Sequence, residues 1–266
     1  MDKKESLQKR CLTFEKCENF RQLGGYVTQD GRRVKWGKLY RTSHLISLTA
    51  QERVIVAGLG IDAILDLRSD EEVALAPDPS FDGVRRIVKS ALVNVAGEDI
   101  SFDLETLFLG GVDAFKKVDA YVSQGYVRMP FGNEAYQAMF DELRKGSTLL
   151  FHCTAGKDRT GIAAMLILLT LDVPYQTILD DFMLTNVCRA HMAQQFAQQY
   201  ATHVARIGVV DGDELFREIT GVRAENLKMA YDAIFEKYPS FDAFLQAEYG
   251  VTEAEREQIK DFYLES

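Results

Sequence analysis

The chain has 266 residues, 47% of them hydrophobic and 27% charged, which suits a globular protein with a substantial core. Its formal net charge of −9 argues against nucleic acid or an anionic membrane surface as the main partner. The N-terminal sequence has no apolar signal-peptide region, and no stretch is long enough to span a membrane. We therefore expect a cytoplasmic protein, or one exported without a classical signal.

The first third of the chain predicts short strands and helices in alternation. Two adjacent glycines in the run 19–26 indicate a turn before a strand. Alternating polar and apolar residues over 33–40 predict a short hairpin-like pair of strands. A capping-box sequence at 49–52 predicts a helix that ends near Gly58. Residues 84–88 have the composition of a further strand.

A strand is also predicted for residues 61–67, and it carries two charged residues where it ends. Asp66 and Arg68 would lie at the carboxyl end of this strand, the edge at which open α/β sheets hold their functional sites. Asp66 is therefore a candidate for a general acid or for a carboxylate that supports the site. It could equally serve only to fix Arg68 through an ion pair.

The rest of the chain is predicted to be mainly helical. Residues 92–132 form either a cap over a site or a packed insertion, and residues 188–220 are a second candidate for a lid. Five further helices are expected, over 133–145, 174–184, 224–238 and 240–249 and from Thr252 onward. With no repeat, low-complexity tract or linker, residues 1–266 are predicted to be a single domain.

Residues 148–171 combine potentially reactive side chains with a predicted strand, loop and helix. Residues 148–151 read as a buried strand and 162–171 as a buried helix, and between them lie Cys153 and Arg159, five residues apart. A strand, a loop and a helix N-terminus place successive backbone N–H groups around one anion. Cys153 would lie near the positive end of the helix and near Arg159, a setting that favours the thiolate.

The other residues of the loop fit the same interpretation. The guanidinium of Arg159 presents donors that match two oxygens of a phosphoryl group. Gly156 allows the backbone to turn tightly, and the hydroxyl of Thr160 could donate to the sulfur of Cys153. Together these residues describe a phosphate cradle with a nucleophile at its centre.

The loop has three alternative interpretations. Cys153 could be an ordinary buried cysteine. A nucleotide-binding loop of the Walker type would need Ser or Thr after Lys157, where Asp158 stands, and a glycine in place of Phe151. A metal site would need a second cluster of ligands, which neither the histidines nor the other three cysteines (Cys11, Cys17 and Cys188) supply in the sequence.

The run His152-Cys153-Thr154-Ala155-Gly156-Lys157-Asp158-Arg159-Thr160-Gly161 resembles the loop of cysteine-dependent tyrosine phosphatases, in the form found in bacterial enzymes related to mycobacterial and listerial ones. The run 19–25 is also similar to an element of that family, with Gln22 where the family has Asp. The resemblance implies hydrolysis of phosphotyrosine proteins or phosphoinositides through a phosphocysteine, without metal or other cofactor. A phosphate-binding module without turnover is the alternative from another class.

The resemblance also suggests roles for individual residues. Asp158 is the family's proposed general acid, although it could instead bind loop amides or pair with Arg159; Asp66 is the reserve. Phosphate would be held by the backbone N–H groups of the loop, Thr154, Ala155, Gly156 and Lys157, with the Lys157 side chain as a second cation. His152 would orient the surroundings of Cys153 through hydrogen bonds. The expected fold is α/β, with a central, mostly parallel sheet flanked by helices, like other cysteine phosphatases, and extra C-terminal helices.

Overall fold

The computed structural model describes residues 9–15, 17–93, 104–192, 194–195, 198–199, 202 and 220–266. The strands are β1 (Arg21–Gln22), β2 (Arg33–Val34), β3 (Leu39–Thr42), β4 (Ala63–Asp66), β5 (Arg85–Val88), β6 (Leu149–His152) and β7 (Leu264–Glu265). The helices that we number are α1 (Ala50–Ala57), α2 (Asp70–Leu75), α3 (Leu104–Arg128), α4 (Glu134–Arg144), α5 (Asp158–Thr170), α6 (Tyr175–Cys188), α7 (Ala224–Lys237), α8 (Phe241–Tyr249) and α9 (Glu253–Tyr263).

The main sheet has the strand order β1-β3-β6-β4-β5. Strands β3, β6, β4 and β5 run parallel, and β1 pairs antiparallel with β3 at one edge. Thr42, His152, Asp66 and Val88 lie side by side as the last residues of the four parallel strands. The loops that follow these strands therefore meet at one edge of the sheet, where open α/β folds bind ligands.

Strands β3, β4 and β6 are buried on both faces, as expected for parallel strands connected by helices. Leu149 and Phe151 face the larger core, which contains residues of α4, α5 and the C-terminal helices. Leu150 and Ile64 face a smaller core on the opposite side, with Val56 from α1. The uninterrupted apolar sequence of β6 follows from this burial on two sides. The fold is the predicted one, a mostly parallel sheet flanked by helices with additional helices after the loop.

Several helix boundaries confirm the sequence-based predictions. α1 begins with a capping box between Thr49 and Glu52, and α9 begins with another between Thr252 and Glu255. Asn133 caps α4, and α8 begins after Ser240. The helix predicted for 174–184 continues to Cys188, and its buried residues recur as far as Thr185 in its last turn.

The predicted hairpin over 33–40 is wrong. β2 pairs with β7 near the opposite end of the sequence, and β3 enters the main sheet between β1 and β6. Local alternation can identify an extended segment, but it does not identify the partner of that segment.

The two predicted cap segments are only partly described. Within 92–132, residues 104–128 form α3, which packs against α7; residues 94–103 lie outside the described part of the chain. Most of 188–220 also lies outside it, so the lid stays a prediction. None of the described helices combines the length and apolar character that crossing a bilayer requires.

Candidate active site

The candidate site is the loop between β6 and α5. Cys153 follows the last residue of β6 and is only 2% exposed, and α5 begins at Asp158. Gly156 has φ of +65°, and a Cβ atom there would lie 2.3 Å from the carbonyl oxygen of Thr42. The loop therefore turns back against the end of β3, and only glycine permits this approach.

Four successive carbonyl groups of the loop, Cys153 to Gly156, each accept a hydrogen bond from outside the loop. The donors are His152 Nδ1 to Cys153 (3.2 Å), His44 N to Thr154 (3.1 Å), Arg189 Nη1 to Ala155 (2.6 Å), and Asn19 Nδ2 (2.7 Å) and Arg41 Nη2 (3.0 Å) to Gly156. A carbonyl oxygen can only accept, so His152 carries its proton on Nδ1.

The orientation of the carbonyls fixes that of the amides. The described part of the chain has no cis peptide bond, and in a trans peptide the N–H points away from the preceding C=O. The N–H groups of residues 154–157 therefore face away from the outer donors, toward the inner side of the loop. Lys157 takes the N-cap position of α5 without a side-chain cap. This is the arrangement of an anion-binding loop at a helix N-terminus.

A buried charge network lies behind Gly156. Asp181, from α6, binds Arg41 Nη1 at 2.9 Å and Arg21 Nε at 3.1 Å, and all three side chains are at most 1% exposed. Arg21 also donates to the side chain of Asn19. Burial and the neighbouring Arg21 lower the pKa of Arg41 to about 10, although Asp181 and Cys153 act in the opposite direction. Two guanidinium groups and one carboxylate leave a net positive charge next to the loop.

Arg159 is held by a carboxylate that the sequence did not single out. Its Nη1 and Nη2 bind the two carboxylate oxygens of Glu72 at 2.5 and 2.8 Å, and the hydroxyl of Thr154 donates to the same carboxylate. Burial would lower the pKa of Arg159, but the charges of Cys153 and Glu72 and the bond to Glu72 raise it above its ordinary value. Burial would raise the pKa of Glu72, but Arg159 lowers it to about 2.

Asp158 is oriented by residues on both sides of the loop. Tyr126, near the end of α3, donates its hydroxyl hydrogen to Oδ1 of Asp158 at 2.6 Å. Lys157 Nζ lies 3.6 Å from Oδ2 of Asp158 and donates to the carbonyl of Gly221. The hydrogen bonds and ion pairs described for Asp158 include neither Asp66 nor the guanidinium of Arg159. The carboxylate of Asp158 is partly exposed.

Asp66 belongs to a separate buried cluster. Nε and Nη2 of Arg68 bind it at 2.8 and 2.7 Å, and Arg86 binds it at 3.0 Å. Burial would raise its pKa, but Arg68 and the other cations lower it to about 2. The ion pair with Arg68 that the sequence suggested is present, whereas an ionised carboxylate with two guanidinium partners is poorly suited to donate a proton at neutral pH.

His152 connects this cluster to Cys153. Its Nε2 lies 3.2 Å from the carboxylate of Asp78, while its Nδ1 binds the carbonyl of Cys153. Atoms of Asp66, Asp78 and His152 lie within 4.8 Å of one another, a spacing that could hold a metal ion. Arg68 Nη2 already binds both carboxylates at 2.7 Å, however, so the cluster does not fit a cation.

Thr160 lies in the first turn of α5 and is fully buried. Its hydroxyl has no hydrogen-bond partner among the described residues, so the expected bond to Cys153 is not made in this structure. A buried hydroxyl without a partner can rotate, so Thr160 remains available to a charged sulfur or to a bound anion.

Sequence reasoning identified the loop but missed most of the groups that hold it. These groups lie on three helices and one connecting segment, and none is part of the loop motif: Glu72, Asp78, Tyr126 and Asp181. One pattern in the sequence could have identified Glu72, because Ser69 and Glu72 form a capping box shortly after β4. This places the carboxylate at the same sheet edge as Cys153.

The sequence matches known proteins over most of its length. The sequence model of the tyrosine phosphatase family matches residues 12–265. A Cupriavidus necator protein, provisionally named as a tyrosine-protein phosphatase, is 32% identical over 254 residues, covering 95% of this chain and 88% of that protein. The triple specificity protein phosphatase PtpB of Mycobacterium tuberculosis is 29% identical over 261 residues, covering 89% of this chain and 92% of PtpB.

A crystal structure of P. aeruginosa TpbA aligns with 71% of this chain and 91% of that one, at 14% identity and a TM-score of 0.28, which is too low to bear on the fold. The family match extends over nearly the whole chain and includes the loop described above. The chain belongs to the tyrosine phosphatase family.

Proposed function

We propose that this protein is a bacterial cysteine-dependent tyrosine phosphatase that hydrolyses phosphotyrosine in proteins through a phosphocysteine intermediate. The observation that supports this most strongly is the outward binding of four successive loop carbonyls, Cys153 to Gly156. It turns the intervening amides inward, where they can bind the oxygens of a phosphoryl group next to the sulfur.

The first step is attack by the thiolate of Cys153 on phosphorus. The S–P bond forms while the bond from phosphorus to the tyrosine oxygen breaks, and the charge on the phosphoryl oxygens is balanced by the loop amides and Arg159. Glu72 keeps the guanidinium of Arg159 in a fixed plane through Nη1 and Nη2. The buried Arg41 donates to the carbonyl of Gly156 and adds positive charge behind the loop, opposite in sign to the phosphoryl group.

Asp158 is the group that we assign as general acid. It begins α5, it follows the loop directly, and the hydroxyl of Tyr126 holds its Oδ1 in place while Oδ2 faces Lys157. The protonated carboxyl would donate to the leaving tyrosine oxygen, and the resulting carboxylate would take a proton from the water that cleaves the S–P bond. Thr160 would donate its hydroxyl to the sulfur as it leaves.

The proposal extends to the whole protein. The match over residues 12–265 supports a single phosphatase domain across 1–266. Cys11, Cys17, Cys153 and Cys188 are all free thiols, which is typical of proteins of a reducing compartment and supports a cytoplasmic location.

The test is phosphate release from a phosphotyrosine peptide, a phosphothreonine peptide and a phosphoinositide, each with a metal chelator present. We expect release that is fastest from the phosphotyrosine peptide and that is lost in Cys153→Ser. Cys17→Ser is the matched control, because Cys17 is equally buried but bonds to Thr42 outside the loop. Activity that survives Cys153→Ser would refute the mechanism, and a preference for the phosphoinositide would refute the assigned substrate.

The role of Asp158 needs substrates that differ in their leaving group. Asp158→Asn should slow hydrolysis of phenyl phosphate by about 10²–10⁴-fold, because phenol leaves poorly without a proton. Hydrolysis of 4-nitrophenyl phosphate should fall much less, since nitrophenolate leaves unassisted. Equal losses with both substrates would show that Asp158 only shapes the loop.

A further inference from the structure

Cys11 and Cys188 are distant in sequence but adjacent in space. Their Sγ atoms lie 3.7 Å apart although 177 positions separate the two residues in the chain. Cys188 is the last residue of α6, and Cys11 forms a bridge to Arg21 next to the edge of the main sheet. Both side chains are half-buried. The proposed phosphatase reaction uses neither of them.

The surroundings favour a thiolate on Cys188. The hydrogen bond with Cys11 lowers the pKa of Cys188 to about 6; burial and Asp181 oppose this effect, and the charges of Arg21 and Arg41 reinforce it. The same hydrogen bond, together with burial, raises the pKa of Cys11 against the charges of Arg21 and Arg10. These effects bias Cys188 toward the thiolate, and Cys11 is a thiol whose sulfur lies 3.7 Å away.

We propose that Cys11 and Cys188 form a peroxide-reactive dithiol that closes to an intramolecular disulfide. The co-reactant is hydrogen peroxide or an organic hydroperoxide. The sulfur of Cys188 attacks the terminal peroxide oxygen, so that the S–O bond forms, the O–O bond breaks, and hydroxide or an alkoxide leaves and takes a proton from the solvent. The sulfur of Cys11 then attacks that of Cys188, so that the S–S bond forms, the S–O bond breaks, and the hydroxide leaves with the proton of Cys11 as water.

The disulfide would connect two segments that support the loop from outside. Arg10 binds the carbonyls of Gln22 and Gly24 and therefore holds the N-terminal segment against β1. Arg189, which follows Cys188, donates to the carbonyl of Ala155. A covalent link between residues 11 and 188 would restrict both segments in the unfolded chain and would raise the resistance of the protein to unfolding.

The test uses the full chain, with and without Cys153→Ser, treated with a small excess of hydrogen peroxide and then with an alkylating reagent. Mass spectrometry of an unreduced tryptic digest should show a Cys11–Cys188 crosslink that disappears with dithiothreitol. In Cys153→Ser, peroxide treatment should lower the number of thiols that can be alkylated from three to one. Three thiols that all remain alkylatable, or a crosslink that includes Cys17, would overturn the proposal.

Two further measurements separate reaction from mere proximity. In Cys11→Ser, oxidation of Cys188 should stop at the sulfenic acid, which dimedone traps. In Cys153→Ser, peroxide should raise the melting temperature by roughly 5–15 °C, and the added substitution Cys11→Ser should abolish that rise. The proposal would be contradicted if peroxide left the melting temperature of Cys153→Ser unchanged. It would also be contradicted if Cys11→Ser gave no dimedone adduct on Cys188.

Discussion

Replacing Asp181 with asparagine removes the only negative charge of the described network behind the loop. The carboxylate binds Arg21, Arg41 and the hydroxyl of Tyr26, and its side chain is 1% exposed. Removal of one partner of a buried ion pair typically costs about 3–5 kcal/mol, because the remaining charge is left uncompensated. Here two guanidinium groups would remain, so we expect Asp181→Asn to lose at least that much stability. For a chain of this size the melting temperature should fall by roughly 6–20 °C.

Asp180→Asn is the matched control, because it makes the same chemical change one position earlier on α6. Asp180 is exposed, and within the described part of the chain its carboxylate accepts a hydrogen bond from Gln176 of the same helix. Differential scanning calorimetry of both variants would measure the difference directly. Asp181→Asn should also lower kcat by about 10²-fold even where it is folded, because Arg41 would no longer be held against the carbonyl of Gly156. Two variants that melt within about 1 °C of each other would refute the reasoning.

Three further predictions concern the loop and its surroundings. Glu72→Gln should lower kcat/KM for a phosphotyrosine peptide about 10–100-fold, since an amide holds the guanidinium of Arg159 less firmly than a carboxylate does; unchanged kinetics would contradict this. Gly156→Ala should abolish activity, because the added Cβ would meet the backbone of β3. Gly60→Ala is the control and should keep activity, since Gly60 also has a positive φ but its Cβ would lie in open space. Equal activity of the two variants would count against this prediction. The pKa of Asp66 is lowered to about 2, below its value in the unfolded chain. Its carboxylate should therefore contribute about 2 kcal/mol to the free energy of unfolding, in full above about pH 4, and this contribution should be lost as the pH falls toward 2. The free energies of unfolding in urea of wild type and Asp66→Asn should therefore converge as the pH falls over that range. A difference between them that does not change with pH would oppose the interpretation.

The strand, loop and helix that form the core of the site could be predicted because their signals are local. β6 is an uninterrupted apolar run, α5 is apolar on all sides, and the turn between them contains a glycine that no other residue could replace. Each of these features depends on residues within one segment of about twenty. The helices that begin with capping boxes were predictable for the same reason.

The supports of the loop could not be predicted, because they depend on pairs that are far apart in sequence. Arg41 and Asp181 are 140 positions apart, and Arg159 and Glu72 are 87 apart. Nothing near Asp181 in the sequence distinguishes it from the exposed Asp180. The hairpin over 33–40 failed similarly, because the partner of β2 is a two-residue strand in another part of the chain.

The position of β6 in the sheet has a consequence for the folding reaction. β6 lies between β3 and β4, yet residues 149–152 are synthesised long after 39–42 and 63–66. The earlier strands cannot form a continuous sheet until β6 arrives, and each keeps an open edge while it waits. Such non-local pairing slows folding and exposes edges to aggregation, so this chain should rely on chaperones while it is being synthesised. The strand that leads into Cys153 is thus also the one that completes the sheet, and changes in β6 should reduce the yield of folded protein as well as the activity.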